Sequence, residues 1–90
     1  MSQHSYEESK LLSAADHPFS TFIMAAMRKA DTHNAAALRF AFPDIAREFY
    51  ERYWCGGGLT VDEGGVLESI PYDEYAAEQD AFLERLSRGN

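Results

Sequence analysis

The chain has 90 residues, a hydrophobic content of 46% and a formal net charge of −7, from 15 acidic and 8 basic side chains. This length predicts one small domain over residues 1–90, and the apolar content excludes a disordered chain. The acidic balance excludes a general binder of long nucleic acids, whose affinity comes mostly from cations on phosphates. Because so short a chain buries little core, we expect it to form homo-oligomers.

The charge is unevenly distributed along the chain. Between residues 17 and 54, five basic side chains against four acidic ones leave a net charge of +1, whereas residues 55–90 carry −6. The exclusion of nucleic acid therefore applies to long polyanions, and a small phosphorylated ligand remains compatible with the central segment. The acidic remainder would help to reject nucleic acid.

The cysteine content and the first residues indicate the cellular compartment of the protein. Cys55 is the single cysteine, which excludes an internal disulfide and a cysteine-based zinc site. No apolar run approaches the roughly 20 residues that cross a bilayer, and the first residues lack the basic and apolar regions of a signal peptide. We therefore expect a cytosolic protein without membrane association.

The N-terminal half predicts helices. The first sixteen residues are polar and predict either a short docking helix or a mobile segment. From an N-cap at Ser20 or Thr21 to about Ala41 there are seven alanines and no glycine or proline, which predicts one long helix. One face of that helix would carry Ile23, Met27, Ala30, Asn34, Leu38 and Ala41.

A second helix follows a proline turn. The residue before Pro43 is pushed away from helical geometry, so Phe42 ends the long helix, and Pro43 suits the start of the next. The second helix is predicted from Asp44 to Tyr53 or Trp54. Two helices joined by a tight turn form an antiparallel helical hairpin over residues 19–54.

The C-terminal part predicts a loop and a third helix. Three consecutive glycines after Cys55 break the second helix, and residues 55–71 predict either a short β-hairpin or an ordered loop. Residues 72–88 predict an amphipathic helix that faces the hairpin or a partner chain. Its apolar stripe consists of Tyr72, Tyr75, Gln79, Phe82 and Leu86. The fold class is therefore predicted as mainly all-α.

Residue types suited to catalysis are sparse. The histidines, His4, His17 and His33, are scattered, and no paired metal ligands stand at helical spacing. Nothing near Cys55 would lower its pKa, so this cysteine is interpreted as structural or incidental rather than catalytic. We expect no catalytic residue, no metal and no cofactor, and hence a protein that is not an enzyme.

Three groups of residues could bind a ligand. Asn34 would lie on the apolar stripe, where its amide either fixes helix pairing or contacts a base or ribose. Arg28 and Arg39 would share another face, which is either a solvated surface or a cationic groove for phosphate. The third group is a cluster of aromatic residues, more typical of core than of a base-stacking platform: Phe49, Tyr50, Tyr53 and Trp54.

The run A-D-T-H-N-A-A-A-L-R-F-A-F-P over residues 30–43 resembles the signature A-D-x-x-N-x-x-x-L-[RK]-x-A-F-P. That signature belongs to a helical-hairpin family of bacteriophage sponge proteins, the anti-CBASS and anti-Thoeris sponges, and the resemblance covers about residues 19–54. Its members sequester cyclic oligonucleotides or cyclic ADP-ribose signals of bacterial immunity without cleaving them. The anti-CBASS members are hexamers with pockets between protomers.

The resemblance implies roles for individual residues. Asn34 matches the asparagine of the hairpin, and Arg39 matches a basic position that would contact phosphate. Met24 stands where members place a base-stacking aromatic residue. With Arg28 as a second phosphate ligand, these residues imply a phage sponge in the cytoplasm of the infected host, assembled as a homo-oligomer and suspected to be a hexamer.

Two alternatives remain open. An acidic protein that mimics nucleic acid and blocks a host defence complex would use the strongly acidic residues 55–90. A hydrolase of the same signals would need a base or a metal site, and the sequence shows neither.

Overall fold

A computed structural model describes residues 2–88, and helices account for most of this part of the chain, which confirms the all-α fold class. The elements, in chain order, are α1 (Gln3–Ala14), α2 (Phe19–Lys29), α3 (Thr32–Ala41), α4 (Pro43–Trp54) and α5 (Tyr72–Arg88). Within residues 2–88 there is no β-strand, and no helix is long and apolar enough to cross a membrane.

The prediction of one long helix to Ala41 is wrong. The backbone leaves helical geometry at Ala30 and Asp31, where ψ reaches 140° and 177°. The carboxylate of Asp31 then accepts a hydrogen bond of 2.8 Å from the backbone amide of Asn34. Because this bond satisfies an amide that has no partner within the helix, Asp31 is the N-cap of a new helix. Residues 19–54 therefore hold three helices rather than two.

The start of α2 also differs from the prediction. Pro18 occupies the N-cap position, and the amide of Thr21 bonds to its carbonyl oxygen at 3.0 Å. The side chains of Ser20 and Thr21 are thus inside the first turn rather than capping it. Proline suits this position because its fixed φ, here −61°, leads into the helix without strain.

The prediction for α4 is confirmed. Phe42 alone separates it from α3, and α4 begins at Pro43 and ends at Trp54. Proline lacks the N–H that would have no acceptor in the first turn, and the carboxylate of Asp44 interacts favourably with the positive end of the helix dipole. The helix packs against both α2 and α3 and forms the centre of the fold.

Residues 55–71 form a loop, not a β-hairpin. A 3₁₀ turn at Gly56–Gly58 and one isolated antiparallel bridge between Cys55 and Leu67 are its regular features. Gly57 has φ +74°, a left-handed conformation that side chains rarely adopt.

Arg52 of α4 ties this loop to the helix. Its guanidinium donates to the carbonyl oxygen of Gly58 at 2.9 Å and to both carboxylate oxygens of Glu63 at 2.8 and 3.0 Å. Glu63 also accepts a hydrogen bond from the backbone amide of Thr60. Because these bonds favour the ionised carboxylate, chiefly through Arg52, the pKa of Glu63 lies below its ordinary value of 4.5.

The predicted C-terminal helix is confirmed as α5, and it packs on α4 through tyrosines. Tyr50, Tyr72 and Ala46 are the buried residues of this cluster, and Tyr75 is half-buried beside them. The ring centroid of Tyr50 lies 4.7 Å from that of Tyr75 and 5.6 Å from that of Tyr72. These contacts are the core of the chain.

The N-terminal segment is a helix, α1, but it does not dock on the rest of the chain. Its residues are exposed along its length, and it contacts none of the other described helices. Ser2 is its N-cap and accepts a hydrogen bond from the amide of Ser5.

Asp31→Ala removes the side chain that caps α3. We expect it to lower the free energy of unfolding by about 1 kcal/mol, because one amide of the first turn loses its acceptor. Urea unfolding followed by far-UV circular dichroism measures the change. Asp31→Asn is the matched control, since asparagine caps a helix about as well as aspartate. An unchanged stability of Asp31→Ala would show that this cap does not stabilise the break between α2 and α3.

Glu63→Gln removes the carboxylate that Arg52 binds. Since the pKa of Glu63 is lowered by folding, its stabilisation is fully present at neutral pH and is lost as the pH falls below 4.5 through the lowered pKa. Glu63→Gln should therefore lower Tm at pH 7, and its difference from the wild type should shrink in acid. Glu68→Gln, in the same loop, is the control. Parallel pH profiles of wild type and Glu63→Gln would contradict this explanation.

Candidate functional site

A cavity of about 410 Å³ lies between α2, α3, α4 and α5. Two arginines, Arg28 of α2 and Arg39 of α3, contribute to its wall, and Met27, Ala35 and Ala46 contribute apolar groups. Its aromatic lining consists of Phe49, Tyr50, Tyr53, Trp54, Tyr72 and Tyr75. Cationic groups and flat apolar surfaces thus face the same space.

Arg28 is held on an aromatic ring. Its guanidinium carbon lies 5.3 Å from the centroid of Phe49, within the range of a cation–π contact. The side chain is on the last turn of α2 and is exposed. A cation–π contact needs no hydrogen bond from the guanidinium, so its N–H groups can still bind an anion.

Arg39 is the more enclosed of the two arginines. Its side chain is 12% exposed, and both terminal nitrogens donate to Oδ1 of Asp80 on α5 at 3.2 Å. The side chain of Asp80 itself is 67% exposed. An anionic ligand in the cavity would therefore compete with this carboxylate for Arg39 or share the guanidinium with it.

The aromatic cluster predicted as core is divided between core and cavity wall. Tyr50 is buried and Phe49 is half-buried, but Tyr53 and Trp54 are 59% and 41% exposed. The ring centroids of Tyr53 and Trp54 are 5.2 Å apart in an edge-to-face arrangement. The exposed rings provide surfaces on which a planar ligand could stack.

Asn34 does not line this cavity. It lies in the first turn of α3, is exposed, and borders a separate open depression of about 550 Å³ together with Lys29 and Leu38. Four residues of the predicted apolar face line this depression: Ala30, Asn34, Leu38 and Ala41. Ile23 and Met27 do not, because the break at Ala30 and Asp31 interrupts the helical periodicity of the face.

Met24 lies outside both the cavity and the depression. It is half-buried on α2, one turn before Arg28. Of the four ligand residues predicted from the sequence, Arg28 and Arg39 therefore line one cavity, and Met24 and Asn34 lie outside it.

Helix α5, predicted to face either the hairpin or a partner chain, contributes to the cavity. Tyr72 and Tyr75 line its wall, and Asp80 reaches Arg39. The tyrosines stand out in the sequence through their helical spacing. Nothing local, however, indicates that α5 returns to the arginines of α2 and α3, since Arg39 and Asp80 are 41 residues apart.

Three kinds of group bear on metal binding and catalysis: the possible metal ligands, the Cys55 thiol and the Tyr72 phenol. Within residues 2–88, no group of three histidine, cysteine or acidic side chains is placed to hold a metal ion. Burial raises the pKa of the Cys55 thiol, with a smaller contribution from the negative charge of Glu51, and so disfavours the reactive thiolate. Burial also raises the pKa of the Tyr72 phenol, which stays neutral at physiological pH.

Comparisons with protein families, with curated proteins and with solved structures found no match for this chain.

Proposed function

We propose that the protein is a phage sponge that binds a cyclic nucleotide signal of bacterial immunity and sequesters it without cleaving it. The ligand would be a cyclic di- or trinucleotide or a cyclic ADP-ribose isomer, bound in the cytoplasm of the infected host. The observation that carries the proposal is the cavity in which Arg28 and Arg39 face six aromatic rings. The choice of ligand class depends on the resemblance of residues 30–43 to the sponge signature.

The chemistry of the cavity suits such a ligand. Arginine binds phosphate through a planar set of N–H donors, and two arginines can serve two phosphates. A base that stacks on Tyr53 or Trp54 would contribute about 1–3 kcal/mol. Arginine, aromatic, alanine and methionine side chains make up the lining, and these groups are suited to binding and orienting a nucleotide.

The acidic alternative has less support. Residues after Cys55 carry eight carboxylates, and four of them bond to arginines of the same chain. The four are Glu63, Asp73, Asp80 and Glu84. A surface that mimics nucleic acid needs free, regularly spaced negative charges, and these contacts neutralise half of the available ones within the chain.

The direct test is calorimetric titration with a panel of cyclic di- and trinucleotides and cyclic ADP-ribose isomers. Arg28→Ala and Arg39→Ala should each weaken binding about 10- to 100-fold, because each removes charged hydrogen bonds to phosphate. Met24→Ala and Asn34→Ala, outside the cavity, should stay within about threefold of the wild type.

Two outcomes would contradict the proposal. One is the absence of binding across the whole panel. The other is recovery of converted ligand after the complex is heated, which would indicate a hydrolase. A loss of binding in Asn34→Ala, with Arg28→Ala unaffected, would move the ligand to the depression beside α3.

Asp80→Asn tests whether the carboxylate competes with the ligand. Removing its charge frees Arg39, so we expect affinity for the phosphorylated ligand to rise about two- to fivefold, the range of an exposed ion pair. Asp73→Asn is the matched control: Asp73 lies on the same helix and binds Arg47, whose guanidinium lies over Tyr72 rather than in the cavity wall. Weaker binding by Asp80→Asn would show instead that Asp80 orients Arg39.

A further inference from the structure

The apolar stripe of α5 becomes more exposed along the helix. Tyr72 at its start is 9% exposed and packs on Tyr50, whereas Phe82 and Leu86, further along the same stripe, are 41% and 45% exposed. The first two turns of α5 are therefore anchored on the body of the chain. The second half carries the same apolar pattern with much less cover.

The whole chain exposes more surface than a folded monomer of its size. Its accessible surface is 6831 Å², against about 5,300 Å² expected for a mass of 10.1 kDa. Its radius of gyration is 15.3 Å, against about 12 Å for a compact domain of 90 residues. The undocked helix α1 contributes to both values, and so does the poorly covered second half of α5.

We propose that a second copy of this chain covers the second half of α5, and that the two α5 helices pair antiparallel around Phe82. In such an isologous interface both copies present the same patch across a twofold axis. Phe82 of each copy packs beside Gln79 and Phe82 of the other. The residues that would form this pairing do not line the cavity, so the pairing does not rest on the proposed function.

The charges beside the stripe favour the antiparallel direction. At 100° per residue, Glu78 and Arg85 lie on the same flank of α5, next to Phe82, and both are exposed. In an antiparallel pair, this flank of one helix lies against the same flank of the other helix, which runs in the opposite direction. Arg85 of each copy then faces Glu78 of the other, and the twofold axis produces this contact twice.

Parallel pairing lacks this complementarity. It would set the flank of Glu78 and Arg85 against the opposite flank of the other helix, where Ala76 and Leu83 stand at the corresponding positions. No ion pair could form there. The self-complementary flank therefore specifies both the partner, a second copy, and its orientation.

The other charged flank of α5 is already used within the chain. Asp73 and Asp80 lie there and bind Arg47 and Arg39 of the body. Glu78 and Arg85 lie on the opposite flank, where both are exposed, and Phe82 beside them is 41% exposed. The two sides of α5 thus divide their contacts between the chain's own body and the second copy.

Sedimentation equilibrium from micromolar to millimolar protein tests the pairing. Glu78→Arg and Arg85→Glu each place like charges opposite one another twice, and each should raise the dissociation constant about tenfold or more. The double variant Glu78→Arg/Arg85→Glu restores opposite charges and should return to within about threefold of the wild type. Glu84→Arg makes the same charge change on the flank away from the pairing side and should leave association unchanged.

Phe82→Ala should also weaken association, and circular dichroism checks that every variant keeps its helices. A wild-type chain that stays monomeric at millimolar concentration overturns the proposal. So does an association constant that neither single reversal changes. A double reversal that associates no better than the single ones overturns the antiparallel arrangement.

Discussion

Tyr50 is the residue on which the rest of the structure depends. It is 5% exposed, and its ring contacts the rings of Tyr75 and Tyr72. Its hydroxyl donates to the carbonyl oxygen of Ile70 and lies 2.9 Å from the hydroxyl oxygen of Ser69. One side chain of α4 thus holds both the end of the loop and the start of α5. Loss of the hydroxyl would leave the carbonyl oxygen of Ile70 without its donor and would lower the free energy of unfolding by about 1–3 kcal/mol. Without this anchor α5 would not form a wall of the cavity.

The break at Asp31 explains why some predicted site residues meet and others do not. On one continuous helix, Arg28 and Arg39 would share a face because eleven residues complete three turns. The break ends that continuity, yet both arginines still face α4, since α2 and α3 each pack on it. Asn34 is different: it lies in the first turn of α3, where the cap directs its backbone amide to Asp31 and leaves the residue exposed.

How much of the structure the sequence predicts depends on how far apart in the chain the interacting residues lie. Local signals suffice for α4 and α5, because Pro43 marks a helix start and the apolar spacing after Pro71 marks a helical stripe. The sequence does not reveal the break at Ala30, because the alanine-rich composition favours helix on both sides of it. The N-cap at Asp31 nevertheless starts a new helix there. The contact of Asp80 with Arg39 joins distant segments, and no local pattern in the sequence encodes it.

The charges of α5 connect the cavity with the assembly. Its carboxylate Asp80 binds Arg39, so the cavity is less cationic than its two arginines suggest, whereas Asp73 binds Arg47 outside the cavity wall. A ligand that displaces Asp80 would remove one of the contacts that hold α5 against α3, while Tyr72 and Tyr75 keep its first turns in place. The second half of α5 would then be freer to change its angle to the body. Because Phe82 and Arg85 lie on that half, ligand binding and pairing of two copies would be thermodynamically coupled, and the coupling would act equally in both directions.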